Sequence, residues 1–227
     1  MRIEHVFFDL DHTLWDFEKN SALAFKKILP EAGVSLEFDN FMKAYSPINV
    51  GYWKLYREEK ISKKNLRYSR LKDTFDALEY SIDDDLIYHL SEEYILQLPN
   101  FNHLFEGTTE LLEYLKEKYA LHIITNGFEE VQTIKMQKSG IIDYFKEIIT
   151  SESVGVKKPN PRVFNYAIEK TNAVAANSMM IGDNLEADIQ GAINCGMNVI
   201  HYNSENLDNI PQNVTSVNHL LEIKQYL

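Results

Sequence analysis

The chain has 227 residues and a formal net charge of −11, with 44% hydrophobic and 25% charged residues. This composition is typical of an ordinary soluble globular protein. The negative charge argues against a nucleic-acid polymer as partner, because binding of duplexes depends on Lys and Arg side chains that neutralise phosphates. A small phosphorylated metabolite stays possible, because it needs only a few local cations or a metal.

The single cysteine, Cys195, excludes an internal disulfide bond and fits a reducing cytoplasm. The first residues lack the long apolar stretch of a signal peptide, and no segment approaches the roughly 20 apolar residues that span a bilayer. We therefore expect a cytoplasmic protein without a membrane partner. We also expect the protein to be a monomer or a homodimer.

Short apolar runs alternate with segments of helical spacing along most of the chain. The runs have the length of buried strands and cover residues 6–8, 121–124, 148–149, 179–181 and 199–200. An alternation of strands and helices is typical of parallel βαβ units. We therefore predict an α/β fold with a Rossmann-like, doubly wound parallel sheet.

Three of the intervening helices have readable ends. One is expected to begin at a cap at Thr108 or Thr109, and one, with Val131 and Ile134 in its apolar pattern, is expected to stop at Gly140. A third begins with Asn160 as the N-cap and proline as the first helical residue.

A long segment after the first strand departs from this alternation. From about residue 16 to about residue 99, helical spacing of apolar and aromatic residues dominates. We predict an inserted all-helical cap domain at residues 16–99 and a core domain formed by residues 1–15 and 100–227. The cap would lie over the carboxyl edge of the sheet, where such folds bind ligands.

The first predicted strand is followed by two carboxylates, Asp9 and Asp11. In an extended backbone alternate side chains share a face, so both carboxylates enter one space if the strand continues to Asp11. Two like charges at such a distance are costly unless a cation or a shared proton offsets them. The pair is therefore a candidate metal site, a candidate acid/base site, or both.

The other predicted strands also end in polar residues. In a parallel sheet these ends lie along one edge. In chain order, they are Thr125-Asn126-Gly127 after the second strand, Lys157-Lys158 beyond the third, and Gly182-Asp183 with Asp188 after the fourth. Such a set suits phosphoryl transfer through an aspartyl-phosphate, with Mg²⁺ as the hard cation that oxygen ligands favour.

These motifs, in this order, resemble those of the haloacid dehalogenase superfamily, in its phosphatase branch with a helical cap inserted after the first strand. The resemblance covers essentially the whole chain. It implies that Asp9 is the nucleophile and a magnesium ligand, and that Asp183 is a further ligand. It also implies that Asp11 is the general acid and then the base, with its backbone carbonyl on the metal. Asp188 would orient the metal site or the lysine.

The resemblance also implies a phosphate-binding group. Thr125, the Asn126 amide and Gly127 would bind phosphoryl oxygens. Lys158 would neutralise the phosphate and Asp9, with Lys157 as the competing choice.

The presence of Asp11 favours phosphate ester hydrolysis, because dehalogenases of this superfamily lack an aspartate at that position. Segments 45–49, 53–56, 66–71 and 154–161 are similar to bacterial pyrimidine-nucleotide 5′-phosphatases. This similarity implies a nucleoside 5′-monophosphate as substrate.

Several alternatives stay open. They are a phosphatase for a small sugar or other metabolite phosphate, a sugar-phosphate mutase, a 2-haloacid dehalogenase, a phosphoacceptor signalling module, and a catalytically inactive binding protein. Asn49, Arg67 and Arg70 are candidate substrate contacts, whereas Trp53 and Tyr56 are expected to pack within the cap.

Overall fold

The computed structural model describes residues 2–204 and 206–227. The chain forms two compact units. One consists of Met1–Phe17 together with Asn102–Leu227, and the other of Glu18–Phe101. None of the described helices combines the length and the apolar character that a membrane span requires.

The first unit contains a sheet of six parallel strands in the order β3-β2-β1-β4-β5-β6. The strands are β1 (His5–Phe8), β2 (Ala120–Thr125), β3 (Glu147–Thr150), β4 (Ser178–Gly182), β5 (Asn198–Tyr202) and β6 (Thr215–Val217). The chain runs outward from β1 to β3, returns to β4 beside β1, and then runs outward on the other side. This doubly wound order confirms the predicted fold class, although the short β6 was not predicted.

The central strand is buried on both faces. Val6, Phe7 and Phe8 are fully buried, as expected for a parallel strand that helices cover on both sides. The carboxyl ends of β1 and β4 are neighbours at the point where the strand order reverses. Crevices at such points are the usual ligand sites of open α/β sheets.

The second unit is helical throughout in the part that the structure describes. Its helices are α1 (Phe17–Glu31), α2 (Phe38–Arg57), α3 (Lys63–Ala77) and α4 (Asp84–Gln97), followed by a short 3₁₀ turn. The ring of Phe25 lies 4.4 Å from that of Tyr94 and 4.5 Å from that of Tyr45, between ring centroids. These aromatic residues therefore pack together in the core of the helical unit.

Among its described residues, the sheet unit carries five further α-helices. They are α5 (Thr108–Lys116), α6 (Glu129–Lys138), α7 (Ser151–Val154), α8 (Pro161–Lys170) and α9 (Gly191–Asn194), the last preceded by a π-helical segment (Leu185–Gln190). The predicted N-cap at Asn160 is confirmed, because its side chain accepts a hydrogen bond from the Arg162 amide.

Two predictions about these helices are wrong. The N-cap of α5 is Gly107, and the Thr108 hydroxyl instead donates to the carbonyl of Leu14. On α6, Ile134 is exposed whereas Lys135 is buried, so a polar residue occupies the buried face that the apolar spacing assigned to Ile134.

Two histidines pair on neighbouring strands of the sheet. His5 Nδ1 lies 3.0 Å from His122 Nε2, and the His122 ring stacks on Phe7 at 4.8 Å between centroids. Burial, together with the nearby His5, lowers the pKa of His122 to about 4. The folded protein therefore favours the neutral form of His122.

This pair predicts a pH dependence of stability. The unfolded chain binds a proton at His122 near pH 6.5 and the folded chain only near pH 4, so the free energy of unfolding falls as the pH is lowered through this window. His122→Phe keeps the ring packing and should reduce the loss between pH 7.5 and 4.5 by about 2 kcal/mol. Urea unfolding at the two pH values in the presence of Mg²⁺ measures this loss of unfolding free energy, and His89→Phe, at an exposed position, is the control. Equal pH slopes in wild type and His122→Phe contradict the prediction.

Candidate active site

The two aspartates that follow β1 diverge. The Asp9 amide still pairs with β4 by donating to the Ile181 carbonyl at 2.9 Å. The backbone then curls, with the Trp15 amide donating to the Leu10 carbonyl at 2.9 Å and Asp11 bridging to Trp15. The strand ends at Phe8, so the condition for a shared strand face of Asp9 and Asp11 is not met. Each is held by a different lysine.

Lys158 holds Asp9. Its ammonium lies 2.7 Å from Asp9 Oδ1 and 2.7 Å from Asp188 Oδ1, and it donates to the Ile124 carbonyl at 2.6 Å. Asp9 and the Ile124 carbonyl accept hydrogen bonds from this ammonium, and Asp188 forms an ion pair with it. Burial disfavours the charge of Lys158, but Asp188 and Asp9 outweigh this effect and raise its pKa to about 12. Of the two lysines considered, it is Lys158 whose side chain lies against Asp9.

Asn126 holds the backbone of Lys158 in place. The Asn126 side chain accepts from the Lys158 amide at 2.8 Å and donates to the Lys158 carbonyl at 3.0 Å. The next peptide bond, Lys158–Pro159, is cis. Because the Asn126 side chain is engaged in this way, its backbone amide is the group that remains for the predicted phosphate contact.

The end of β4 supplies two more carboxylates. Asp183 Oδ1 accepts from the Thr13 hydroxyl at 3.1 Å, and Asp188 Oδ2 accepts from the Asn184 amide at 3.1 Å. A Cβ on Gly182 would lie 2.4 Å from Asp188 Oδ2. The absence of a side chain at position 182 therefore allows Asp188 to approach the site closely.

Asp9, Asp183 and Asp188 form a carboxylate cluster whose ligand oxygens lie within 4.8 Å of one another. Burial, together with the neighbouring Asp188 and Asp183, raises the pKa of Asp9 to about 8, although the charge of Lys158 opposes the effect. Burial and the charge of Asp188 raise the pKa of Asp183 to about 7, again against Lys158. Crowded carboxylates of this kind favour a cation, and an all-oxygen donor set fits Mg²⁺.

The cluster adds one side chain to the predicted metal set, because Asp188 lies with Asp9 and Asp183 and also contacts Lys158. The Asp11 carboxylate lies outside the cluster. The predicted ligand atom of Asp11 is its backbone carbonyl.

Lys135 and Gln132, both on α6, hold Asp11. Lys135 Nζ lies 2.6 Å from Asp11 Oδ1, and Gln132 Nε2 donates to Asp11 Oδ2 at 3.0 Å. Burial lowers the pKa of Lys135, although the charge of Asp11 opposes the effect.

The predicted phosphate-binding turn follows β2. Thr125 Oγ1 accepts from the Gly127 amide at 3.0 Å and from Gln132 Nε2 at 2.8 Å. Its own hydrogen is then available to donate to a phosphoryl oxygen. The Gly127 amide is used within the turn, so Gly127 shapes the turn in this structure. A Cβ on Gly127 would lie 2.2 Å from Gln132 Nε2.

Sequence reasoning missed three residues that contact the site, namely Gln132, Lys135 and His201. His201 is fully buried in β5, and its Nε2 donates to the Asp183 carbonyl at 2.8 Å. Its other ring nitrogen lies 3.1 Å from the Ser216 hydroxyl. A polar residue inside an otherwise apolar strand was the available signal for His201. Gln132 and Lys135 are three residues apart, which is the spacing of one helix face.

Comparisons with known proteins find relatives over most of the chain. The family model described as "Haloacid dehalogenase-like hydrolase" matches residues 6–202. The pyrimidine 5′-nucleotidase PynA of Streptococcus pneumoniae is 33% identical, over 93% of this chain and 89% of PynA. A glyceraldehyde 3-phosphate phosphatase of Methanothermobacter thermautotrophicus is 32% identical, over 99% of this chain and 100% of that protein.

A solved structure also matches over the whole chain. The crystal structure of the putative HAD-hydrolase YfnB from Bacillus subtilis, bound to magnesium, has a TM-score of 0.90 and 28% identity. The match covers 100% of this chain and 99% of the YfnB chain. The predicted enzyme class, a phosphoric monoester hydrolase, is confirmed by the relatives, and so is the predicted family. This chain belongs to the haloacid dehalogenase-like hydrolase family.

Proposed function

We propose that the chain is a Mg²⁺-dependent phosphatase that hydrolyses nucleoside 5′-monophosphates, with pyrimidine nucleotides preferred, through an aspartyl-phosphate on Asp9. The observation that carries the proposal is the position of the Asp9 carboxylate. It lies beside the Lys158 ammonium and within a carboxylate cluster at the end of the central strand. That arrangement suits a nucleophile whose attack on phosphorus needs positive charge nearby.

Two displacements at phosphorus make up the proposed reaction. An Asp9 oxygen forms a bond to phosphorus while the bond to the ester oxygen breaks, and Asp11 protonates the leaving oxygen. Asp11 then takes a proton from water, whose oxygen attacks phosphorus and releases inorganic phosphate from Asp9. Lys158, the Thr125 hydroxyl and the Asn126 backbone amide stabilise the charge on the phosphoryl oxygens.

Asp9, Asp183 and the Asp11 carbonyl are the proposed magnesium ligands, with Asp188 as a further carboxylate in reach. A bound Mg²⁺ ion neutralises charge on the phosphoryl oxygens. The site residues without a metal are crowded and anionic, which supports a cation requirement for this chain. The magnesium-bound structure of the YfnB relative also supports it.

The substrate proposal rests on the relatives and on the inserted helical unit. PynA is named a pyrimidine 5′-nucleotidase, which favours a nucleotide. Asn49 and Arg70 are both buried, and Arg70 Nη1 donates to Asn49 Oδ1 at 3.0 Å, which favours a packing role for both. Trp53 is half-buried and is the better candidate for stacking on a base.

A small sugar phosphate is the second candidate substrate, because one relative is named a glyceraldehyde 3-phosphate phosphatase. The presence of Asp11 continues to favour a phosphatase over a 2-haloacid dehalogenase or a phosphoacceptor signalling module. We retain as proposals a cap domain at residues 16–99, a cytoplasmic location, and a monomeric or homodimeric state.

Kinetics on a panel of phosphate esters test the substrate. We expect kcat/KM for uridine and thymidine 5′-monophosphates to exceed that for glyceraldehyde 3-phosphate by about tenfold or more, because a base-binding site contributes contacts that a triose cannot make. A preference for the triose phosphate contradicts the nucleotide proposal and supports the second candidate.

Substitution of the nucleophile tests the covalent mechanism. Asp9→Asn keeps the shape of the side chain but removes the nucleophilic carboxylate, so phosphate release should fall by at least about a thousandfold. The exposed Asp143→Asn serves as a matched control with unchanged turnover. Circular dichroism should show both variants folded. Turnover near that of wild type in Asp9→Asn contradicts the mechanism.

Removal of divalent cations tests the metal requirement. EDTA should reduce phosphate release about a hundredfold or more, and added Mg²⁺ should restore it. Mg²⁺ should also raise the thermal midpoint of wild type, since it binds only the folded site, and this increase should be lost in Asp183→Asn. Full phosphatase activity in the presence of EDTA would contradict the requirement for a divalent cation.

A further inference from the structure

We propose that Lys135 and Gln132 are positioning residues that hold the Asp11 carboxylate in the orientation from which it exchanges protons with the leaving group and with water. The inference rests on the proposed function, because it extends the acid/base role of Asp11 to the two side chains that contact it.

The first argument is that each oxygen of Asp11 has its own donor. Lys135 Nζ lies 2.6 Å from Oδ1, and Gln132 Nε2 lies 3.0 Å from Oδ2. Both donors project from one face of α6, three residues apart. Two donors on two oxygens restrict rotation of the carboxylate, which a single contact does not.

The second argument is that Lys135 is itself held. Its ammonium lies 4.2 Å from the centroid of the Trp15 ring and 5.4 Å from that of Phe17. Trp15 belongs to the loop that carries Asp11, and the two residues form a backbone bridge. The aromatic rings contribute a cation–π interaction and leave the ammonium little freedom to move away from Asp11.

The third argument is energetic. Lys135 is 2% exposed, and burial of an ion pair is often no more stabilising than an apolar pair of similar volume. Gln132 is fully buried, and its Oε1 atom finds no hydrogen-bond partner among the described residues. An unsatisfied buried oxygen is costly. Packing alone therefore does not explain two polar residues on the buried face of α6.

The fourth argument is that Gln132 connects Asp11 to the phosphate-binding turn. The same amide nitrogen donates to Asp11 Oδ2 and, at 2.8 Å, to Thr125 Oγ1. One side chain thus sets the position of the proton-transfer group relative to a group that is proposed to bind phosphoryl oxygens.

The test compares two esters that differ in their need for an acid. A nucleoside 5′-monophosphate releases a poor leaving group that requires a proton, whereas 4-nitrophenyl phosphate does not. The value of kcat/KM reports the steps up to release of that group. Lys135→Met should lower it about 10- to 100-fold for the nucleotide, within the usual contribution of general acid catalysis, and by less than about threefold for the aryl ester. Lys135→Arg, which keeps the cation, should recover part of the loss.

Lys138→Met is the matched control, because it makes the same substitution at an exposed position on the same helix. Its kcat/KM should equal that of wild type for both esters. If Lys135→Met does not fold, Gln132→Leu gives the same test, with a smaller difference between the esters because Gln132 also contacts Thr125.

A double-mutant cycle separates positioning from a structural role. In an Asp11→Ala background, Lys135→Met should cause no further loss of kcat/KM for the nucleotide, because the group that it positions is absent. Equal losses in the two backgrounds, or equal losses for the two esters, overturn the inference while leaving the proposed function intact. A wild-type protein that hydrolyses neither ester overturns the proposed function itself.

Discussion

The buried contact between the Lys158 ammonium and the carboxylates of Asp9 and Asp188 is the interaction on which the rest of the site depends. Three carboxylates at the ends of β1 and β4 repel one another, and burial makes each charge more costly. One lysine does not balance three carboxylates, and such an arrangement favours a bound cation. Other local features support this contact, since the Asn126 side chain holds the Lys158 backbone and Gly182 leaves room for Asp188.

A second buried lysine separates the roles of the two aspartates that follow β1. The chain leaves the extended conformation after Phe8, and the turn directs Asp9 to Lys158 and Asp11 to Lys135. Asp9 lies in the carboxylate cluster, whereas the Asp11 side chain lies outside it. This separation suits a nucleophile and a proton-transfer group that act on opposite bonds of one phosphorus atom.

Those parts of the fold with strong local signals could be predicted from the sequence. The apolar runs of β1, β2 and β4 are continuous because parallel strands are buried on both faces. The strand β6 has three residues and only one of them is buried, so it has no such signal. On α6 the apolar spacing pointed to Ile134, but contacts with Asp11 and the aromatic rings keep Lys135 buried instead.

The sequence by itself determined the order of the polar motifs and their position after apolar strands, and hence the family and the gathering of acidic groups along one sheet edge. Local patterns specify strands, and parallel strands place their carboxyl ends together. The resemblance already implied Lys158 for Asp9, with Lys157 as the competing choice, and the tertiary structure decided between them. Only the tertiary structure assigned Lys135 to Asp11 and Asp188 to the cluster. These pairs join residues 149 and 124 positions apart in the two lysine contacts. The side-chain directions that bring them together depend on turns after the strands, which no local periodicity encodes.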